Sequence, residues 1–276
     1  MKEKPFENVI QNKFFFQGES FSEAVDRLLY VIHEHDFCIG LLSGAIGSGK
    51  TTIKQHVKHK LFKNEFEIAE VEGAAYGFLS MLQEIVDQIA FNTIIENFDL
   101  LEKTTAGSDS YLLMKKFKQI LQGLEAQEGR RLVVFIDEAQ QISAESLRGI
   151  RNLTNLNNAE KKYVTFILMG QPELKQIVQQ VPEFDDRVAL KYNLNFLEKR
   201  EIPFYLQHRL TTAGYQGQEL FLQDCTEFLY EQTRGSPRKI NLLCKLALEY
   251  AIALQVQSID QTLLQAVVQD RKDQET

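Results

Sequence analysis

Cysteine is scarce in this chain, and long apolar runs are missing. Its three cysteines, Cys38, Cys225 and Cys244, are scattered with no paired spacing, which argues against a disulfide framework and for buried thiols in a reducing compartment. No apolar stretch approaches the roughly 20 residues that a membrane helix needs. Residues 1–13 are polar and mixed, unlike a secretory signal. The expectation is therefore a cytoplasmic protein. No serine or cysteine has a base at a recognisable spacing, so a hydrolytic triad is not indicated. Internal repeats and low-complexity linkers are also lacking. Positive charge is not in excess: 31 Lys and Arg against 38 Asp and Glu give a formal charge of −7. That argues mildly against a nucleic-acid binder, because phosphate contacts need clustered positive charge. What remains is a soluble globular profile, 44% hydrophobic and 25% charged over 276 residues, long enough for a large domain with a small partner.

Periodicity divides the chain into two regions. Residues 20–34 carry apolar side chains at helical spacing, and residues 37–43 (FCIGLLS) read as a buried strand ending in glycines. A helical pattern resumes after Lys50, followed by a weaker strand at residues 66–71. Phe78 to Ile89 and Leu113 to Leu124 mark two long helices. Residues 132–136 (LVVFI) and 163–169 (YVTFILM) are the strongest strand signals, and residues 192–194 make a short last strand. Strands alternating with helices imply parallel crossovers and an α/β fold with a central parallel sheet flanked by helices. After about Phe196 the strand signals stop. Leu206/Leu210, Phe221/Phe228, Ile240 to Tyr250 and Leu263 to Val267 read as four helices, and the charged residues 269–276 as a frayed end. The expected division is an α/β domain over residues 1–195, with a helical lead-in, and a small all-helical domain over 196–276.

Two segments carry chemistry. Gly44, Ala45, Ile46, Gly47, Ser48, Gly49, Lys50 and Thr51 fit G-x-x-x-x-G-K-[ST], with Thr52 following in the helix. Glycines let the backbone turn its N–H groups toward phosphate oxygens, and the helix after the loop adds the positive end of its dipole. Lys50 would reach the β- and γ-phosphates of ATP, and the Thr51 hydroxyl would ligate Mg²⁺. The strand at residues 132–136 ends in Asp137 and Glu138, at the edge where open α/β sheets bind ligands. Asp137 would hold Mg²⁺ and Glu138 would orient or deprotonate the attacking water.

With a helical domain behind them, these motifs resemble an AAA+ ATPase, a P-loop NTPase, of the secretion- and pilus-associated ExeA/MshM group. The resemblance rests on Pro5-Phe6, Phe14–Leu28, the loop with Thr52, IDEAQ at 136–140, Leu153–Leu156, GQPEL at 170–174, HRLTTAG at 208–214 and GSPRKINLLC at 235–244, in order along almost the whole chain. It implies a sensor role for Gln171 near the γ-phosphate, and for Arg187 a place in the site of a neighbouring subunit. It implies that Arg238 links the nucleotide to a helical lid. It also implies a nucleotide-dependent homo-oligomer, ring or filament, working on a secretion or type IV pilus partner. Longer members of the group continue into a transmembrane helix and a peptidoglycan-binding domain. The chain departs from the group at Asp185, Asp186 and Lys191, where relatives carry uncharged or basic residues and a second arginine. Regulators of transposition share much of this pattern; in that alternative the chain would bind duplex DNA as an ATP-dependent oligomer and recruit a transposase.

Other features have plainer readings. His56 and His59 lie three apart but lack a third ligand nearby. Lys54, Lys58, Lys60 and Lys63 form a basic helix face, either solvated or DNA-touching. Phe14–Phe16 either covers an adenine or packs against a sheet edge.

Overall fold

The apolar runs of the first region become strands β1 (Ile39–Gly44), β2 (Phe66–Glu72), β3 (Arg131–Asp137), β4 (Val164–Gly170) and β5 (Val188–Leu194). A computed structural model describes residues 2–8, 11–34, 36–72, 77–96, 110–157 and 162–274, and in it these strands form one sheet in the order β2-β3-β4-β1-β5. The pairs β2–β3, β3–β4 and β4–β1 are parallel, with Ile136 opposite Leu168 and Ser43 opposite Gly170. The carboxyl ends of β1, β3 and β4 therefore share one edge. Every residue of β1 and β4 is buried, as expected of parallel strands covered on both faces. In β5 only Leu190 and Leu194 are buried, so its seven residues showed in the sequence as a three-residue fragment.

The helices are α1 (Glu19–His33), α2 (Lys50–Lys60), α3 (Phe78–Glu96), α4 (Ser110–Glu128), α5 (Ala144–Thr154), α6 (Leu174–Gln179), α7 (Pro182–Asp185), α8 (Ile202–Thr212), α9 (Cys225–Thr233), α10 (Pro237–Ala253) and α11 (Gln261–Gln274). The four helices expected after Phe196 are α8 to α11. The expected frayed end is corrected: α11 is helical through Gln274, while residues 275 and 276 lie outside the described residues. Phe221 is not helical either; it forms an isolated β-bridge with Ile259, and α9 starts at Cys225.

The chain divides into two compact units, one of residues Ala24–Gly44 and His56–Asn193, the other of Met1–Glu23, Ala45–Gln55 and Leu194–Thr276. The first holds the sheet and a core that includes Phe117, Phe135, Phe166 and Phe184. Lys162 is buried there and donates to the carbonyls of Val31, at 2.7 Å, and Glu34. A cation thus meets the carbonyl end of α1, where helix geometry leaves acceptors unpaired.

In the second unit the N-terminal segment is strapped to α8 and α10. Arg209 donates to the carbonyls of Pro5 (2.6 Å) and Glu7 (2.7 Å) and lies over the Phe14 ring. Tyr205 donates to Asn241 at 2.7 Å, and Asn241 to Asn8 at 3.0 Å. Three segments of the family resemblance, Pro5-Phe6, HRLTTAG and GSPRKINLLC, are thereby joined by polar contacts, of which the buried ones, Arg209 to Pro5 and Tyr205 to Asn241, leave an unsatisfied group if broken. The run Phe14–Phe16 packs here as well, Phe15 against the Phe21 ring of α1 and Phe16 edge-on to Tyr205 of α8.

Candidate functional site

The loop between β1 and α2 takes its shape from two glycines. Gly47 has φ +78 and Gly49 φ +100, values that L side chains rarely adopt. Neither has room for a Cβ. At Gly47 it would lie 3.0 Å from Arg238 Cβ and 3.1 Å from Ser236 Oγ; at Gly49 it would lie 2.8 Å from the Phe21 ring. Lys50 opens α2 with only 8% of its surface exposed, and its Nζ reaches back across the loop to donate to the Ala45 carbonyl at 3.2 Å. The Ser48 hydroxyl is buried with no hydrogen-bond partner among the described residues. Gly44 closes β1, Ile46 is exposed, and Thr51 and Thr52 sit in the first turn of α2, Thr51 exposed and Thr52 half-buried. Left-handed glycines, a cation folded over the loop and an orphaned hydroxyl make a cradle suited to an anion.

The segment before α10 meets this loop. Gly235 has φ +78, and a Cβ there would fall 1.9 Å from the Leu197 carbonyl, so only glycine fits. It places Ser236, buried, with Oγ 3.5 Å from the Gly47 carbonyl oxygen. Arg238, exposed in the first turn of α10, lays its Cβ beside Gly47. Arg238 and the loop are thus brought together within one unit. Ser236 is a contact that sequence reasoning missed; its only signal was its place between Gly235 and Pro237.

The carboxyl edge of the sheet carries the second group. Asp137, the half-buried last residue of β3, accepts from the backbone N–H of Glu138 at 3.0 Å. Glu138 is exposed and left-handed, with φ 48 and ψ 33. For a residue with a Cβ that conformation costs about 1–3 kcal/mol and persists where the surroundings impose it, as at functional sites. Gln140 joins Glu138 to the loop after β4. Its Nε2 donates to Glu138 Oε2 at 2.7 Å, and its Oε1 accepts from the Gln171 backbone N–H at 3.0 Å. Asp137, Glu138 and Gln171 are therefore assembled on one edge. Gln140 was overlooked as a site residue although IDEAQ ends on it.

Arg187 stands apart from that group. It is exposed between α7 and β5 and donates to Asn155 Oδ1, the C-cap of α5, at 3.1 Å. Asp185 instead pairs with Lys191 at 2.6 Å. Two of the departures from the family pattern thus form an ion pair and leave Arg187 outside it. The lysine face of α2 is interrupted, because Lys54 is buried and Lys58 pairs with Glu70. Among the described residues no group of three or more His, Cys, Asp or Glu could hold a metal ion, and no helix is long and apolar enough to cross a membrane. Burial pushes the Cys225 thiol up to about 12 and Cys244 well above its ordinary value, so neither supplies a thiolate.

A family model described as an AAA domain matches residues 35–178. The chain is 32% identical over 256 residues to the General secretion pathway protein A of Aeromonas hydrophila, a match covering 92% of this chain and 44% of that protein. It therefore spans less than half the length of that relative. A 26% identical stretch of 136 residues, 48% of this chain and 33% of the relative, is shared with an uncharacterized HTH-type transcriptional regulator of Methanocaldococcus jannaschii. Among solved structures, the Aeropyrum pernix ORC2 protein in its ADPNP-ADP complexes superposes with a TM-score of 0.68 at 19% identity, covering 97% of this chain and 71% of that one. Drosophila ORC bound to DNA gives 0.67 at 16% identity, covering 97% and 64%. At such identities these two structures establish the fold alone.

Proposed function

The chain belongs to the AAA domain family, and from that premise we propose that it binds Mg·ATP at Gly44–Thr52, hydrolyses it, and couples turnover to the assembly or remodelling of a secretion or type IV pilus system. The observation that carries this reading is the loop itself, with Gly47 and Gly49 left-handed, Lys50 folded across it and Arg238 against it. In this proposal the backbone N–H groups of Ala45–Gly49 cradle the phosphates, and Lys50 neutralises charge on the β- and γ-phosphoryl oxygens. The Thr51 hydroxyl and Asp137 carboxylate are hard oxygen donors of the kind that hold Mg²⁺, which when bound draws charge off those same oxygens. Glu138 takes a proton from water as its oxygen bonds to the γ-phosphorus and the bond to the β-γ bridging oxygen breaks. Gln171 orients the γ-phosphate, and Arg187 acts on a neighbouring copy's nucleotide.

We assign the nucleotide to residues 1–195 and a lid to 196–276, with Arg238 reporting nucleotide state to the lid. The secretion output is supported by the 32% identity to General secretion pathway protein A. The rival role in transposition keeps the shared motifs but loses part of its lysine face, since Lys54 is buried and Lys58 pairs with Glu70 while Lys60 and Lys63 stay exposed. ATPase activity stimulated by duplex DNA, with a steep salt dependence, would favour that role.

The test is Mg-dependent ATP hydrolysis by the wild-type chain and two variants. Lys50→Ala should lose binding or turnover. Glu138→Gln should bind ATP and turn over about 10²–10⁴-fold more slowly. Turnover near wild type in Lys50→Ala would overturn the assignment of the loop.

A further inference from the structure

Gln140 occupies a position that the proposed chemistry does not yet use. Its side chain makes two bonds of opposite sense, donating to Glu138 Oε2 at 2.7 Å and accepting from the Gln171 N–H at 3.0 Å. The backbone around it is shaped to permit both. Gly170 ends β4 without a side chain, and a Cβ there would lie 2.7 Å from Gln140 Oε1 and 3.0 Å from Gln140 N. Glu138 takes its left-handed conformation immediately before the turn Ala139–Gln141, and the Gln141 N–H closes that turn on the Glu138 carbonyl at 3.1 Å.

We propose that Gln140 is a positioning residue: its amide fixes the Glu138 carboxylate relative to the first residue of the loop after β4, so that the base and Gln171 adopt a single arrangement. This rests on Glu138 being the base, as proposed above. The chemistry selects the residue type. An exposed glutamate side chain has rotamer freedom to lose, and a bond to one carboxylate oxygen removes part of it before substrate arrives. The partner must donate to a carboxylate and accept from a backbone N–H at once. A primary amide has both functions on one planar group, whereas a carboxylate only accepts and an aliphatic side chain does neither.

Two variants and one control test the proposal. Gln140→Ala should lower kcat for Mg·ATP by about ten- to a hundred-fold, the scale of a misplaced catalytic group. Its KM and its affinity for a fluorescent ATP analogue should stay within about two-fold, because the lost contact acts on the base and not on nucleotide binding. Gln140→Glu keeps the size of the side chain and the acceptor for Gln171, but it sets a like charge against Glu138. It should therefore be impaired at least as much as Gln140→Ala. If Gln140 merely buttresses the loop after β4, Gln140→Glu will retain wild-type kcat, and the proposal fails. A fall in nucleotide affinity equal to the fall in kcat also overturns it. Lys50→Ala is the control: if the wild-type chain shows no turnover above that variant, the ATPase reading itself is wrong and the role of Gln140 falls with it. Melting curves identify a variant that has lost its fold, and in that case the isosteric Gln140→Glu alone decides.

Discussion

Adding one methyl group at Gly49 tests whether the shape of the loop, and not only its lysine, makes the site. Two penalties apply, and they are separable. An alanine held at φ +100 costs about 1–2 kcal/mol, because its Cβ collides with the backbone. The same Cβ falls 2.8 Å from the Phe21 ring, which is 6% exposed and edge-packed on Phe15 and so has little space to retreat. Overpacking of that kind costs ~1–3 kcal/mol. Together the two effects amount to about 2–5 kcal/mol, a large share of the ~5–15 kcal/mol that holds a domain folded. At about 2–4 °C per kcal/mol for a chain of this size, Gly49→Ala should lower the melting temperature by ~4–20 °C in thermal unfolding followed by circular dichroism. It should also weaken ATP binding, since the N–H of residue 49 would turn away. The partition is read from a second variant. Phe21→Leu in the Gly49→Ala background should return the steric part but not the backbone part, a coupling of about 1–3 kcal/mol. A Gly49→Ala protein melting within about 1 °C of wild type would refute the reasoning. Simple additivity with Phe21→Leu would refute the steric half alone.

Three further perturbations address other parts of the molecule. Gly235→Ala places a Cβ 1.9 Å from the Leu197 carbonyl, which is backbone and cannot step aside, so a loss above about 4 kcal/mol is expected; soluble protein with near-native melting would contradict it. Burial holds the Lys162 amine down to about 8 against its ordinary 10.5, so between those values the folded chain binds fewer protons than the unfolded chain and stability rises with pH. Urea unfolding at both ends of that window should show the rise in wild type and its loss in Lys162→Met; equal slopes would exclude it. Finally, mixing Arg187→Ala with Lys50→Ala chains should restore some ATP hydrolysis if the arginine acts across a subunit boundary, and no recovery at any mixing ratio would count against that role.

Much of this protein was legible in one dimension. β1, β3 and β4 are short apolar runs because both of their faces are covered, and burial on both sides leaves a signal that needs no partner to be read. The glycine loop was equally plain, since glycines at fixed offsets before a helix that opens on a lysine are a local requirement of backbone geometry. β5 was seen only in part because three of its seven residues are exposed and only two are buried. α5 was not anticipated, although Ser143 caps it by accepting from the Ser146 N–H. The basic face of α2 misled for the converse reason: helical spacing shows which residues share a face, but not that Lys54 is buried or that Glu70 waits for Lys58.

The chain alone determined the features that depend only on neighbours in sequence: the strand–loop–helix unit that carries Lys50, and the acids at the end of β3. Tertiary structure decided those that depend on residues far apart in the chain. It set Arg238 and Ser236 against Gly47, joined Glu138 to Gln171 through Gln140, and paired Asp185 with Lys191 while giving Arg187 to Asn155. The physical reason is range. Backbone sterics and hydrophobic periodicity act over a few residues and are written in order along the chain, whereas a hydrogen bond or a steric limit on one glycine is chosen only when folding brings distant segments within about 3 Å.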